Sequence, residues 1–287
     1  MAYFHYPAGR RSDMARPAVI AHRGYAGIAP ENTVAAIERA TEHDETAMIE
    51  IDVRPAACGT PVVVHDERLE GTRDGRPLTD GTGLVRETPL ETLRETRVLG
   101  TDATVSTLAD VLEATPETVG LNVELKGAGR ADLRVDGSLP SGERAERREA
   151  WRPFVERVVA DCDAFGGDLL FSSFCEGAIA ALRDVTSEFA AAPLIRDDLG
   201  AGLEIARRYE CEAIHPPRSA VRDADAAPER ATDPGPEIDV LEAAHGEGRA
   251  VNVWTVTNWV QFDRLAAAGV DGIVADYPGL GRASSDR

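Results

Sequence analysis

Short runs of β-branched and small apolar residues recur along this chain, each followed by a longer stretch in which apolar positions return every three or four residues. The short runs predict strands at 17–22 (PAVIAH), 47–53 (AMIEIDV), 119–125 (VGLNVEL), 168–172 (DLLFS), 189–194, 211–215, 250–256 (AVNVWTV) and 271–275 (DGIVA). The longer stretches predict helices at about 31–43, 106–114, 151–163, 175–185, 198–208, 237–247 and 258–268. The first of these is entered through Pro30-Glu31-Asn32-Thr33, a helix-start sequence. Strand then helix, repeated, is the pattern of a parallel sheet with crossover helices, and eight strands close a TIM (β/α)8 barrel.

A ninth run, PVVVH at 61–65, needs a different place, because PAACGT after Arg54 is too short for a crossover helix. It is expected to return antiparallel as a hairpin after strand two, carrying His65 back toward the C-terminal mouth of the barrel. Residues 66–105 form a further irregular stretch, a small insertion rich in glycine and threonine. Two polar loops, 127–150 and 216–236, follow strands and so lie over the mouth, either as a lid or substrate wall or as surface insertions.

The chain has 287 residues and 43% hydrophobic content, enough for one barrel domain at 17–280 with an N-terminal extension at 1–16 and a tail at 281–287. Its formal net charge of -19 argues against nucleic acid or an anionic membrane as partner, since both would repel it. Lys126 is the only lysine among 31 basic residues, and the acidic excess suggests a halophile, because carboxylates keep a surface hydrated in concentrated salt. Cys58, Cys162, Cys175 and Cys211 lack metal-type spacing and read as reduced packing residues. With no signal-type apolar run and no span-length segment, a cytoplasmic protein without stable membrane insertion is expected. The oligomeric state is not written in the sequence.

Chemistry concentrates at the strand ends. In Glu50-Ile51-Asp52 both carboxylates point to one side of the strand, and a buried carboxylate pair is costly unless a hard divalent cation or a salt bridge neutralises it. Glu124-Leu125-Lys126 repeats the device, with Glu124 able to complete the cation's ligands. Lys126, the one position where arginine is not used, suits a compact charge on a phosphate oxygen. His22, with Arg23 and Gly24 after it, and His65 end strands that reach the same rim, and imidazoles exchange protons near neutral pH. Trp254 and Phe174 could line the same mouth against a small polyol or alkyl group, as could Ser172, while His215 could merely line the barrel.

The ordered set His22-Arg23-Gly24, Pro30-Glu31-Asn32-Thr33, Glu50-Ile51-Asp52, His65-Asp66, Glu124-Leu125-Lys126, Ser173-Phe174, Trp254-Thr255-Val256 and Asp276-Tyr277-Pro278 resembles the glycerophosphodiester phosphodiesterase family, over about residues 18–278. The resemblance implies a TIM barrel of the phospholipase C-like phosphodiesterase type. It also implies one divalent cation, Mg²⁺ or Ca²⁺ with Mn²⁺ a further option, on Glu50, Asp52 and Glu124, and catalytic histidines at His22 and His65. Arg23 and Lys126 would contact phosphate, and Glu31 and Asn32 would order the first loop and support His22. The expected reaction is hydrolysis of a small-molecule glycerophosphodiester to glycerol phosphate and an alcohol, in glycerophospholipid degradation. The rival expectations are a lysophospholipase D-like hydrolase of lipid-sized diesters, which an exposed apolar rim would favour, and a non-catalytic glycerol phosphate-binding protein.

Overall fold

The computed structural model describes residues 16–127, 137–222 and 238–281. In chain order the elements are β1 (Ala18–His22), α1 (Val34–Thr41), β2 (Thr46–Pro55), β3 (Pro61–Val63), β4 (Thr72–Arg73), β5 (Arg76–Pro77), α2 (Leu90–Glu95), β6 (Ser106–Thr107), α3 (Leu108–Ala114) and β7 (Gly120–Leu125). There follow α4 (Ser141–Cys162), β8 (Leu169–Ser173), α5 (Glu176–Val185), β9 (Ala190–Pro193), α6 (Leu199–Arg208), β10 (Ala213–Ile214), α7 (Val240–Gly246), β11 (Ala250–Val256), α8 (Trp259–Ala268) and β12 (Gly272–Ala275).

Eight strands pair side by side in the order β10-β11-β12-β1-β2-β7-β8-β9, parallel at every seam. The last seam is closed by a parallel bridge between Leu194 and His215, where His215 N donates to the Pro193 carbonyl at 3.0 Å. This is the expected TIM barrel. Strand alternation divides its residues cleanly. Ile49, Ile51, Val53, Leu121, Val123 and Leu125 face outward and pack under the helices in the main core. Ile20, Met48, Leu170, Ala190, Ala192, Ala213 and Val274 face inward and plug the barrel. Three of these seven are alanines, which lets facing strands converge. Above the plug the inward positions turn polar: Glu50, Asp52, Asn122, Glu124, Ser172, His215 and Asn252, all buried.

The hairpin is present: β3 returns antiparallel along β2, pairing Val53 with Val63 and Pro55 with Pro61, and β6 pairs with β3 in turn. The insertion after it is more ordered than its composition suggests. Leu69, Val85, Leu93, Val98 and Val105 close a small core of their own with Ala56 and Val62. A tight β4–β5 hairpin turns through Asp74 and Gly75, both at positive φ (50° and 79°), as an Asp-Gly turn of the primed type requires.

Several helix ends differ from the expectation. α1 starts at Val34 rather than 31, because Asn32 sits in the left-handed region (φ 59°) and Thr33 caps the helix by accepting from Ala36 N at 3.3 Å. Ser106 and Thr107 join the sheet instead of α3, and Thr107 forms a capping box with Asp110. α4 starts at Ser141, not 151, so the second half of the 127–150 loop is helix. Residues 128–136 of that loop, and 223–236 of the 216–236 loop, lie outside the described residues, as does most of the 1–16 extension. All four cysteines are free. Among the described residues no helix is long and apolar enough to cross a membrane.

Candidate active site

The mouth is built from strand ends that the alternation aims inward. Glu50 and Asp52 at the end of β2 and Glu124 at the end of β7 bring one carboxylate oxygen each within 4.8 Å of one another, and all three are buried. Lys126 Nζ lies 2.8 Å from Glu124 Oε1 and 3.3 Å from Asp52 Oδ1, and Arg23 Nε lies 3.2 Å from Asp52 Oδ2. Two cations against three carboxylates leave the cluster one charge short. The shortage shows in the acids themselves: burial, then the charges of Asp52 and Glu124, pushes the Glu50 carboxyl well above its ordinary range. Burial, with help from Asp52, lifts Glu124 to about 7 against the pull of Lys126. Burial would raise Asp52 too, yet Lys126 and Arg23 hold it well below the usual carboxylate range. Three hard oxygen donors, crowded and under-neutralised, fit a hard divalent cation.

The loop after β1 is wound tightly to reach this cluster. Arg23, Gly24, Tyr25 and Asn32 all take positive φ, and at Gly24 a side chain would run into Ala36. Arg23 N donates to Glu50 Oε2 at 3.1 Å and its Nη1 to Glu31 Oε1 at 3.0 Å. Asn32 clamps Asp52 from two sides: its Nδ2 donates to Asp52 Oδ2 at 2.8 Å, and Asp52 N donates to Asn32 Oδ1 at 3.1 Å. The contacts of Glu31 and Asn32 therefore run to Arg23, Arg73 and Asp52, not to His22 as expected.

His22 is held instead by Asp276, whose Oδ1 is 2.6 Å from Nδ1, while its Nε2 lies 3.9 Å from Glu50 Oε2. An Nδ1–H donated to the carboxylate leaves Nε2 bare toward the cluster. His65 Nδ1 is 3.3 Å from Asp66 Oδ1, and its carbonyl accepts from Arg54 Nε at 2.9 Å. Burial pulls the His65 imidazole below its ordinary value, and pairing with His65 and then Arg73 holds Asp66 down at about 2 in spite of its burial. Arg73, from the β4–β5 hairpin, bridges Asp66 (2.7 Å) and Glu31.

A cavity of about 190 Å³ brings together His22, Arg23, Glu50, His65, Glu124 and Lys126 with Phe174 and Trp254. The two aromatic rings meet edge to face at 5.6 Å, and Trp254 Nε1 donates to the His215 carbonyl at 2.7 Å. Lys126 Nζ and Arg196 Cζ sit 5.7 and 5.2 Å from the Phe174 ring centre. On the other side of His22 and Arg23 an open groove of about 590 Å³ includes Ile28, Leu99, Arg76, Asp276 and Tyr277. Of the residues expected at the site, His22, Arg23, Glu50, His65, Glu124, Lys126, Phe174 and Trp254 line the cavity, Glu31 lines the adjoining groove, and Asp52 and Asn32 are hydrogen-bonded to each other behind them. Asp276 belongs to a motif that carries the family resemblance, but its partnership with His22, one residue past a strand end at the same level, is not assigned by the sequence. Arg73 and Arg196 were not anticipated, since one arginine among many carries no signal.

The match to known proteins covers nearly all of this architecture. Residues 22–280 match the model of the glycerophosphoryl diester phosphodiesterase family. A glycerophosphodiester phosphodiesterase of Caldanaerobacter subterraneus is 29% identical over 270 residues, covering 91% of this chain and 94% of the relative. One from Bacillus altitudinis is 26% identical over 274 residues with the same coverage. Among solved structures, an Oleispira antarctica phosphodiesterase in complex with the product sn-glycerol-3-phosphate superimposes with a TM-score of 0.71 at 26% identity, over 92% of this chain and 94% of that one. An Agrobacterium tumefaciens glycerophosphodiester phosphodiesterase shares the fold, with a TM-score of 0.68 and coverage of 93% and 99%. With the family model spanning every strand end that builds the mouth, this chain belongs to the glycerophosphoryl diester phosphodiesterase family.

Proposed function

We propose that the protein hydrolyses small glycerophosphodiesters to glycerol phosphate and a free alcohol, with His22 and His65 as the acid–base pair. The observation that carries this reading is the meeting of two histidines, a carboxylate trio and the cations Arg23 and Lys126 around one cavity of about 190 Å³. Glu50, Asp52 and Glu124 would hold a divalent cation, Mg²⁺, Ca²⁺ or Mn²⁺, which when bound supplies Lewis-acid polarisation of phosphoryl oxygens. Arg23 and Lys126 draw charge from those oxygens as the transition state forms. One imidazole takes the proton of the attacking hydroxyl, from water or from the substrate's own glycerol, and the other returns a proton to the departing alcohol. Asp276 fixes the tautomer that leaves His22 Nε2 free for this exchange. The product bound in the Oleispira antarctica structure, sn-glycerol-3-phosphate, agrees with this product class. Degradation of glycerophospholipids is the setting in which such substrates arise.

The test is glycerol phosphate release from a panel of glycerophosphodiesters, in low and in concentrated salt to probe the halophile expectation, with EDTA and with each cation restored. Release that EDTA stops and a divalent cation restores is the expected result. Folded, metal-loaded protein inactive on the whole panel would sink the reading and leave a binding role.

One observation favours lipid-sized diesters as a second reading. The exposed large apolar residues among those described are Ile28 and Tyr277, which line the open groove beside His22, and Trp259 and Val260, which begin α8 after β11, the barrel neighbour of β12. Faster turnover of micellar lysophosphatidylcholine than of glycerophosphocholine would establish that reading in place of the first.

A further inference from the structure

Three inward side chains above the apolar plug carry polar atoms that nothing among the described residues satisfies. Asn122 Oδ1, Ser172 Oγ and His215 Nδ1 are buried and without a hydrogen-bond partner, in residues at most 1% exposed. Buried polar atoms are paired in the great majority of cases, so three orphans lining one cavity call for a common partner. All three residues line the 190 Å³ cavity that holds the histidines and the cations.

Their chemistry specifies the partner. The amide nitrogen of Asn252 lies 2.9 Å from His215 Nε2, so the ring accepts there and carries its proton on Nδ1. The floor of the cavity therefore offers one pure acceptor, Asn122 Oδ1, one donor, His215 Nδ1–H, and one group that does both, Ser172 Oγ. A hydroxyl group both gives and takes a hydrogen bond, and two neighbouring hydroxyls can engage all three atoms. An ether, an ester carbonyl or a methyl cannot satisfy Asn122.

Position in the barrel adds direction. Asn122 and Ser172 stand on adjacent strands β7 and β8, and His215 follows β10, whereas the open groove lies on the β12–β1 side beyond His22. His22 and Arg23 line both spaces. We propose that Asn122, Ser172 and His215 form a polyol-reading floor that binds the hydroxyls of the substrate's glycerol arm and points the departing alcohol into the open groove. Phe174 and Trp254 then flank the carbon skeleton of that arm. This rests on the phosphodiesterase reading and narrows it: the free diol is the recognised feature, and the departing alcohol is loosely specified. An arm acylated on its terminal hydroxyl leaves the floor unpaired.

The experiment compares kcat/KM of the full chain, in the presence of divalent cation, on three phosphocholine diesters: the glycerol ester, the 2-hydroxypropyl ester, which keeps the central hydroxyl as a nucleophile and lacks the terminal one, and the propyl ester lacking both. A site built to bond hydroxyls rejects analogues without them strongly, so wild type should lose about tenfold per hydroxyl and on the order of 10² for both. In Ser172→Ala the ratio between glycerol and propyl esters should narrow by about tenfold. Equal rates on all three esters would overturn the floor while leaving the phosphodiesterase reading intact, and this arm needs no variant to fold. A Ser172→Ala loss shared equally by the three esters would make these side chains structural and overturn it too. No hydrolysis of any ester would remove the phosphodiesterase reading and the floor with it.

Discussion

Replacing Asp276 with asparagine changes one atom and should disarm His22. In the wild type the Asp276 carboxylate accepts from Nδ1 at 2.6 Å, which leaves Nε2 facing the carboxylate cluster. An asparagine can instead donate to Nδ1, which moves the ring proton to Nε2 and blocks it as an acceptor. It also removes the charge that steadies the imidazolium formed during turnover. Opposite charges about 4 Å apart attract by roughly 4 kcal/mol at an effective dielectric of 20. Side-chain exposures of 18% and 23% admit solvent, and halving the figure leaves about 2 kcal/mol. Righting the tautomer adds a cost of similar size, for a total of about 3 to 4 kcal/mol, or a fall in kcat of about 10² to 10³. KM should hardly move, because the perturbed pair acts after binding. The assay is steady-state hydrolysis of glycerophosphocholine at saturating divalent cation, beside a thermal melt that shows the variant folded. A kcat within threefold of wild type would refute the orienting role.

Two further outcomes test the fold beneath the site. Burial drives the His215 imidazole down to about 3 from its ordinary 6.5, so the folded state holds the ring neutral. Stability from this group is complete above about pH 6.5 and drains away as pH falls toward 3, by up to about 3 kcal/mol at pH 4. Urea melts of His215→Asn should therefore lose less stability than wild type between pH 6.5 and 4, and parallel losses would contradict the buried neutral ring. Trp151, 1% exposed in α4, packs so closely over the start of α5 that a side chain at Gly177 would lie 3.0 Å from its ring. Trp151→Ala should cost about 3 to 5 kcal/mol in the same melts, and a cost below about 1 kcal/mol would mean that α4 is not packed there.

The barrel strands are legible because each pairs an outward apolar series with an inward one, and the polar breaks in the inward series mark the site. Glu50 with Asp52, and Glu124 with Lys126, announce their shared face by spacing alone. The antiparallel return of β3 follows from a loop too short for a helix. The first ten residues of α4 are hidden for the opposite reason: SGERAERREA is polar all round and none of it is buried, so no stripe betrays the helix. Its order comes from contacts distant in sequence, such as Arg144 with Glu176 at 3.4 Å. Arg73 reaches the site only because the insertion folds on its own small core, a long-range event without local trace. The orphaned atoms of Asn122, Ser172 and His215 are likewise visible only once the strands are side by side.

A chain whose sole lysine sits in its active site comes with a built-in address for labels. Amine-directed reagents have two targets here, Lys126 and the terminal amine, and the first is 13% exposed at the side chain and bound to two carboxylates. Two carboxylates hold that amine protonated, so it acylates slowly while the site is intact and readily once the chain unfolds, which makes its labelling a reporter of site integrity. Fluorophores, crosslinkers and resins that attach through surface lysines would find none among the described residues. Exposed carboxylates outside the mouth and Cys58, the exposed cysteine, are the handles by which this protein can be tethered without touching its chemistry.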